Sequence, residues 1–143
     1  MALSADTSRE KRNPMGEFRM PVAATTAIYM GALISTTNDT GVSTGYAIGA
    51  VEAAGNIVMG VAREHVDNST GSAGDKFVNV EIGEFLFSTT DGTIADTGVQ
   101  MYLVDDNEVD STAGANSILA GMCTGWDSVN SKAWVRILPG GKK

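Results

Sequence analysis

Val78, Val80 and Ile82 alternate with Phe77, Asn79 and Glu81, and this two-residue period limits the possible folds more than any other feature of the chain. A period of two puts one set of side chains on each face of an extended strand. Phe85 and Phe87 continue the run beyond Gly83, which interrupts the phase. Similar short runs recur. Val99, Met101 and Leu103 alternate with Gln100, Tyr102 and Val104, and Ala133, Val135 and Ile137 share one face near the end. Turn residues separate the runs: "TNDTG" at Thr37–Gly41, Ala53-Ala54-Gly55-Asn56, and Asp105-Asp106-Asn107. No window holds a 3.6-residue period over three turns. Short strands at intervals of roughly 8–15 residues predict an all-β fold, a sandwich or a small closed barrel.

Three regions follow. Residues 1–20 are polar and charged and lack either hydrophobic period, and Pro14 and Pro21 suit an extended path. This stretch is expected to be an extended N-terminal arm that orders on a partner surface. Residues 21–138 are expected to form the β domain. Its first apolar segment is Ala27–Ile34, with Gly31 marking a bulge or a close backbone approach. Tyr46–Ala50 is a short strand, and Ile57, Met59 and Val61 form one face of another. Asp67–Gly74, "DNSTGSAG", has the composition of a flexible loop. Thr93–Thr112 reads as one turn of coil or helix, a strand, a tight turn and a second strand, with Asp105–Asn107 suited to left-handed turn dihedrals. Ser117–Thr124 and Lys132–Leu138 are the last strands, and residues 139–143 are expected to be a flexible tail.

Charge and composition exclude several roles. Residues 1–20 carry a net charge of +1 and residues 21–138 a net charge of −10. An acidic body is wrong for nucleic acid, whose phosphates need clustered Lys and Arg. No apolar run approaches the roughly 18–20 residues that cross a bilayer as a helix, so no membrane partner is expected. The first residues lack the apolar stretch of a signal peptide, so synthesis and folding in a cytoplasm are expected. One cysteine, Cys123, excludes an intrachain disulfide.

The chemistry of catalysis is missing as well. The single histidine, His65, ends a strand in "AREHVDN", and no Gly-x-Ser-x-Gly elbow accompanies it. Cys123 lies in an apolar strand with no basic neighbour in sequence to lower its pKa. "DDNEVD" lacks the spacing of a calcium loop, and its acids are expected to be solvated. No catalytic residue, cofactor or metal site is expected, and the chain is not expected to be an enzyme.

Several of these segments resemble bacteriophage head decoration (cement) proteins. The likeness is carried by Ala95-Asp96, Gly98, Tyr102, Asp105-Asp106 and Val109, then by Gly121, Gly125, Trp126, Asp127 and the strand Ala133–Ile137. In the front half it is carried by Gly31-Ala32-Leu33-Ile34, Tyr46-Ala47-Ile48 and Gly60-Val61-Ala62. It covers Pro21 to Leu138 and does not extend into residues 1–20. The resemblance implies a small β-barrel or β-tulip on the outer capsid surface, bridging subunits of the major capsid protein, often as a homotrimer. It implies that the N-terminal segment helps attachment. Arg9, Lys11, Arg12 and Arg19 are then candidate partner contacts, and Trp126 and Trp134 are anchors unless they pack in the core. The alternative from another class is a β-sandwich module of a virion that recognises a glycan or host surface through its tyrosines and tryptophans.

Overall fold

The fold is that of a computed structural model whose description covers residues 1–137. The flexible tail expected at 139–143 lies outside the described residues. The strands are β1 Lys11–Pro21, β2 Thr26–Ile28, β3 Leu33–Asp39, β4 Val42–Gly49, β5 Val58–Ala62, β6 Val66–Asn68, β7 Phe77–Phe87, β8 Gln100–Leu103, β9 Val109–Asp110, β10 Leu119–Asp127 and β11 Lys132–Ile137. The fold is all-β. A strongly curled antiparallel sheet forms a half-barrel in the order β4-β3-β5-β7-β11-β10-β8-β9, with β1 also on β7, and β2 and β6 make a small second sheet.

β7 organises this arrangement. β1 runs antiparallel along one edge, from Lys11 opposite Phe85 to Pro21 opposite Phe77. β5 pairs with Val80 and Glu81, and β11 pairs with Gly83 to Phe87. Each residue has only two edges, so β5 and β11 must lie end to end on the edge opposite β1. The sheet therefore divides near Gly83 into two wings, β5-β3-β4 and β11-β10-β8-β9. Gly83 has φ +152°, and a Cβ there would lie 3.1 Å from the Asn13 carbonyl oxygen and 3.2 Å from Pro14 Cα. β1 bulges at this point, between Arg12 and Gly16, and a side chain on residue 83 would crowd the bulge.

Two cores lie on opposite faces of β7. Val78 and Val80 join Met20, Val22, Ile28, Ile34, Ala47 and Ala62 on one. Phe85 and Phe87 join Met101, Leu103, Val109, Val135 and Ile137 on the other. The phase interruption at Gly83 in sequence is thus a change of which face is buried. Each fully buried Phe, Ile or Leu contributes about 1.5–3 kcal/mol against leaving it exposed. The far end of the sheet path returns to its middle, because Val109 N donates to Ser88 O at 3.0 Å, just past β7.

Several expectations need correction. The boundary placed at residues 20/21 falls inside β1, and residues 11–20 are a paired strand of the body. Pairing with β7 satisfies a polar segment through its backbone, so it needs no apolar period of its own. The segment Ala27–Ile34 is two strands, because the chain turns at Met30-Gly31 beneath the N-terminal residues: a Cβ on Gly31 would lie 2.3 Å from Thr7 O. In β5 the faces are not Ile57, Met59 and Val61 against Val58. Val58 and Val61 enter one core while Met59 and Ala62 meet the other, across a register shift between β3 and β5 and a Gly60 at φ +155°. Asn68 pins the 67–74 loop, its buried amide donating to Ala23 O and Ser72 O at 2.9 and 3.0 Å.

Candidate functional site

The hairpin after residue 93 follows the expected order. A short 3-10 turn at Ile94–Asp96 precedes β8 and β9, and Thr93 and Asp96 close it with a capping box. The turn between β8 and β9 does not use left-handed residues. Instead, Asp105 Oδ1 accepts from Asn107 N at 2.8 Å, a side-chain substitute for the backbone turn. Nor is Asp106 a solvated acid. Its Oδ1 accepts from Leu3 N at 2.8 Å, its carbonyl accepts from Leu33 N at 2.8 Å, and burial pushes its carboxyl pKa up. Asn107 Oδ1 accepts from Arg9 Nη2 at 2.9 Å. This turn therefore clamps the N-terminal residues to β3. The sequence offered no sign of it beyond the clustering of turn acids.

The four basic candidates have different fates. Arg9 is turned inward. Its Nε donates to Gly31 O at 2.7 Å and its Nη1 to Leu86 O at 2.8 Å, and its guanidinium lies 4.3 Å from the centroid of the Phe87 ring. Burial lowers its pKa to about 10, so it stays charged at neutral pH. Lys11 Nζ donates to both oxygens of Glu81 at 3.0 Å, and Arg63 pairs with Glu17 and approaches Glu81 at 3.8 Å. Arg19 lies 4.7 Å from the Phe77 ring centroid and forms no ion pair among the described residues.

Arg12 belongs to a built patch on the outer face. Its guanidinium stacks on Trp134, 4.4 Å from the ring centroid, while its Nε donates to Glu84 Oε2 at 3.0 Å. Asn13 Nδ2 donates to Glu84 Oε1 at 2.6 Å and Thr124 Oγ1 to Oε2 at 2.7 Å. Asn13 and Thr124 hold the Glu84 carboxyl below its ordinary pKa, with a smaller contribution from Arg12. A Cβ on Gly125 would lie 2.7 Å from Arg12 Nη2, so this glycine is what lets the guanidinium lie flat across β10 and β11. A Cβ on Gly121 would lie 2.1 Å from Arg136 O, which explains the other spaced glycine by close strand approach.

The two tryptophans face opposite ways. Trp126 pairs with buried Ala133 and packs against the core that holds Val135 and Ile137. Trp134 sits on the other face of β11, half-buried beneath Arg12. The structure thus brings together Arg12 and Trp134 from the six candidates and separates them from Trp126. Glu84, Thr124 and Gly125 complete the patch, and the sequence showed only Gly125 as one of a spaced pair.

His65 lies at the surface, its Nδ1 2.9 Å from Asp6 Oδ1 and its ring edge-on to Tyr29 at 5.3 Å. Cys123 is buried in the core. Among the described residues, no group of His, Cys, Asp or Glu is placed to hold a metal ion, and no helix is long and apolar enough to cross a membrane. Comparison of the chain with protein-family models, curated proteins and solved structures gives no match.

Proposed function

We propose that the protein is a structural virion component that binds the outside of a bacteriophage capsid and stabilises it by bridging subunits of the major capsid protein, acting as a homotrimer on the shell. The sequence resemblance from Pro21 to Leu138 is the starting point. The observation that carries the reading is the Arg12–Trp134 patch: a rigid arginine–tryptophan stack on the outer face, held by Glu84, Asn13 and Thr124. Arginine and tryptophan are the residues that most often dominate binding energy at protein interfaces. A stack already fixed in the free protein loses little side-chain entropy on contact. A footprint of about 800 Å² per partner is ordinary for such a site. The role is mechanical, so no catalytic residue, cofactor, nucleic acid or membrane enters it.

Residues 1–20 enter this reading differently from a free arm. Arg9 is turned into the body, whereas Lys11 and Arg12, each paired with a glutamate, keep about half of the side chain exposed, and with Arg19 they are free to meet a partner. The alternative, a glycan-binding module, gains no support from the two tryptophans, since Trp126 and Trp134 on opposite faces make no shared platform for a sugar ring. Sedimentation of the protein with shells stripped of it tests the proposal. The protein should pellet with the shells, and Trp134→Ala should remain largely in the supernatant while keeping its fold by circular dichroism. Equal pelleting of the folded variant and the parent would remove the patch from the interface.

A further inference from the structure

Where the two wings of the sheet separate, a cavity of about 370 Å³ opens between Val58 of β5 and a wall made of Gln100, Leu119, Ala120, Met122 and Arg136. Its walls are mostly aliphatic. Among the described residues one charged side chain lines it, Arg136, which forms no ion pair with them and whose Nε is buried without a hydrogen bond. Glu84 lies directly opposite Arg136 across the β7–β11 pairing. The Glu84 oxygens accept from Arg12, Asn13 and Thr124 instead, and Glu84 makes no ion pair with Arg136. On the other side Arg136 faces Met122, and Met122 faces Gln100, so the three form one row across β11, β10 and β8.

A buried guanidinium N–H with no acceptor is costly to the folded protein. Nε itself is sealed from solvent, so an acceptor from outside the chain would meet the remaining guanidinium nitrogens and offset the unpaired charge there. The strongest match for a guanidinium fork is a carboxylate, which takes two parallel N–H donors. A pocket with one positive group and aliphatic walls on an acidic body suits a single negative charge attached to an apolar chain. Polyanions fit it poorly, because no other described residue of the wall is cationic. We infer that this cavity is a binding site for a small monocarboxylate with a short aliphatic chain. Arg136 takes the carboxylate, the Gln100 amide donates beside it, and Val58, Leu119 and Ala120 cover the chain. This site adjoins the Arg12–Trp134 patch across Glu84 but uses none of its side chains.

Titration with sodium hexanoate, followed by amide and methyl NMR shifts of the full chain, tests it. Saturable shifts at Gly121, Met122 and the Gln100 side chain are expected, with hexanol and inorganic phosphate each binding about tenfold more weakly or worse. Arg136→Met should abolish the hexanoate shifts. If that variant does not fold, Met122→Glu provides the second arm. Met122 is exposed, and a glutamate there places a carboxylate directly opposite Arg136, so the variant should fold and exclude hexanoate. The inference is overturned if hexanoate gives no saturable shift at these residues. It is also overturned if phosphate or hexanol binds as well as hexanoate, or if a folded variant binds hexanoate as the parent does.

Discussion

The two tryptophans make the residue-scale account testable, because one sequence feature has two different structural meanings. Trp126 packs on the core, so Trp126→Ala should cost about 2–3 kcal/mol of unfolding free energy. Trp134 lies outside beneath Arg12, so Trp134→Ala should cost about 1 kcal/mol, mainly the lost cation–π contact and part of its burial. Urea denaturation of both variants checks the contrast, and equal losses would contradict the assigned faces. Glu84 gives a pH signature at the same scale. Its folded pKa is lowered by Asn13, Thr124 and Arg12. The stability it contributes is therefore fully present above the ordinary glutamate pKa of about 4.3 and is lost as pH falls through the lower folded value. Glu84→Gln should be less stable than the parent at neutral pH, by about 1 kcal/mol. The gap should narrow as the buffer is acidified through that window. Paired denaturation curves at several pH values would show it, and a constant gap would mean that the Glu84 charge contributes nothing.

At the scale of elements, β1 is where sequence and structure part most clearly. The polar run before Pro21 has no hydrophobic period, and a strand held chiefly by backbone pairing to one neighbour leaves little trace in side-chain pattern. Only Phe18, Met20 and Val22 at its end carry a core signal. Removing residues 1–15 should therefore destabilise the body, since it strips Arg9 from three acceptors and takes away the Lys11–Phe85 and Arg12–Glu84 pairs at the start of β1. Removing residues 1–5 should cost less, because what goes is the Leu3 contacts and the exposed Met1 ammonium pairs with Glu108 and Asp105, while Arg9 and β1 stay. Thermal melts of the two truncations decide this, and equal melting temperatures would show that residues 6–15 add nothing. Elsewhere the pattern was legible where one face of a strand is buried and the other is not. β11 is such a case, with Ala133, Val135 and Ile137 inward and Trp134 outward. β8 is another, with Met101 and Leu103 buried. The pattern failed at β5 and at β7 near Gly83, because two cores compete for opposite faces of the same strand. Period alone cannot say which face is buried at each end. The Arg12–Trp134 stack was illegible for a related reason: its members come from β1, β7, β10 and β11, and only the register of those strands joins them.

At the scale of the whole molecule, the N-terminal residues are tied into the body and the Arg12–Trp134 stack stands ready on its outer face. Light scattering and shell reconstructions should show three copies together on the particle; a lone copy in both settings would contradict the trimer. The central claim is that attachment stabilises the shell. Binding energy realised only on the assembled lattice favours that lattice over free subunits, and a site held at about one hundred times its dissociation constant contributes about 2.7 kcal/mol. Repeated over a shell, such a gain raises the temperature at which packaged DNA escapes. The most direct measurement heats decorated and stripped particles side by side with a dye that reports released DNA. Decorated particles should release at a higher temperature, and adding back the parent protein, but not Trp134→Ala, should restore it. Equal release temperatures at saturating occupancy would contradict the stabilising role.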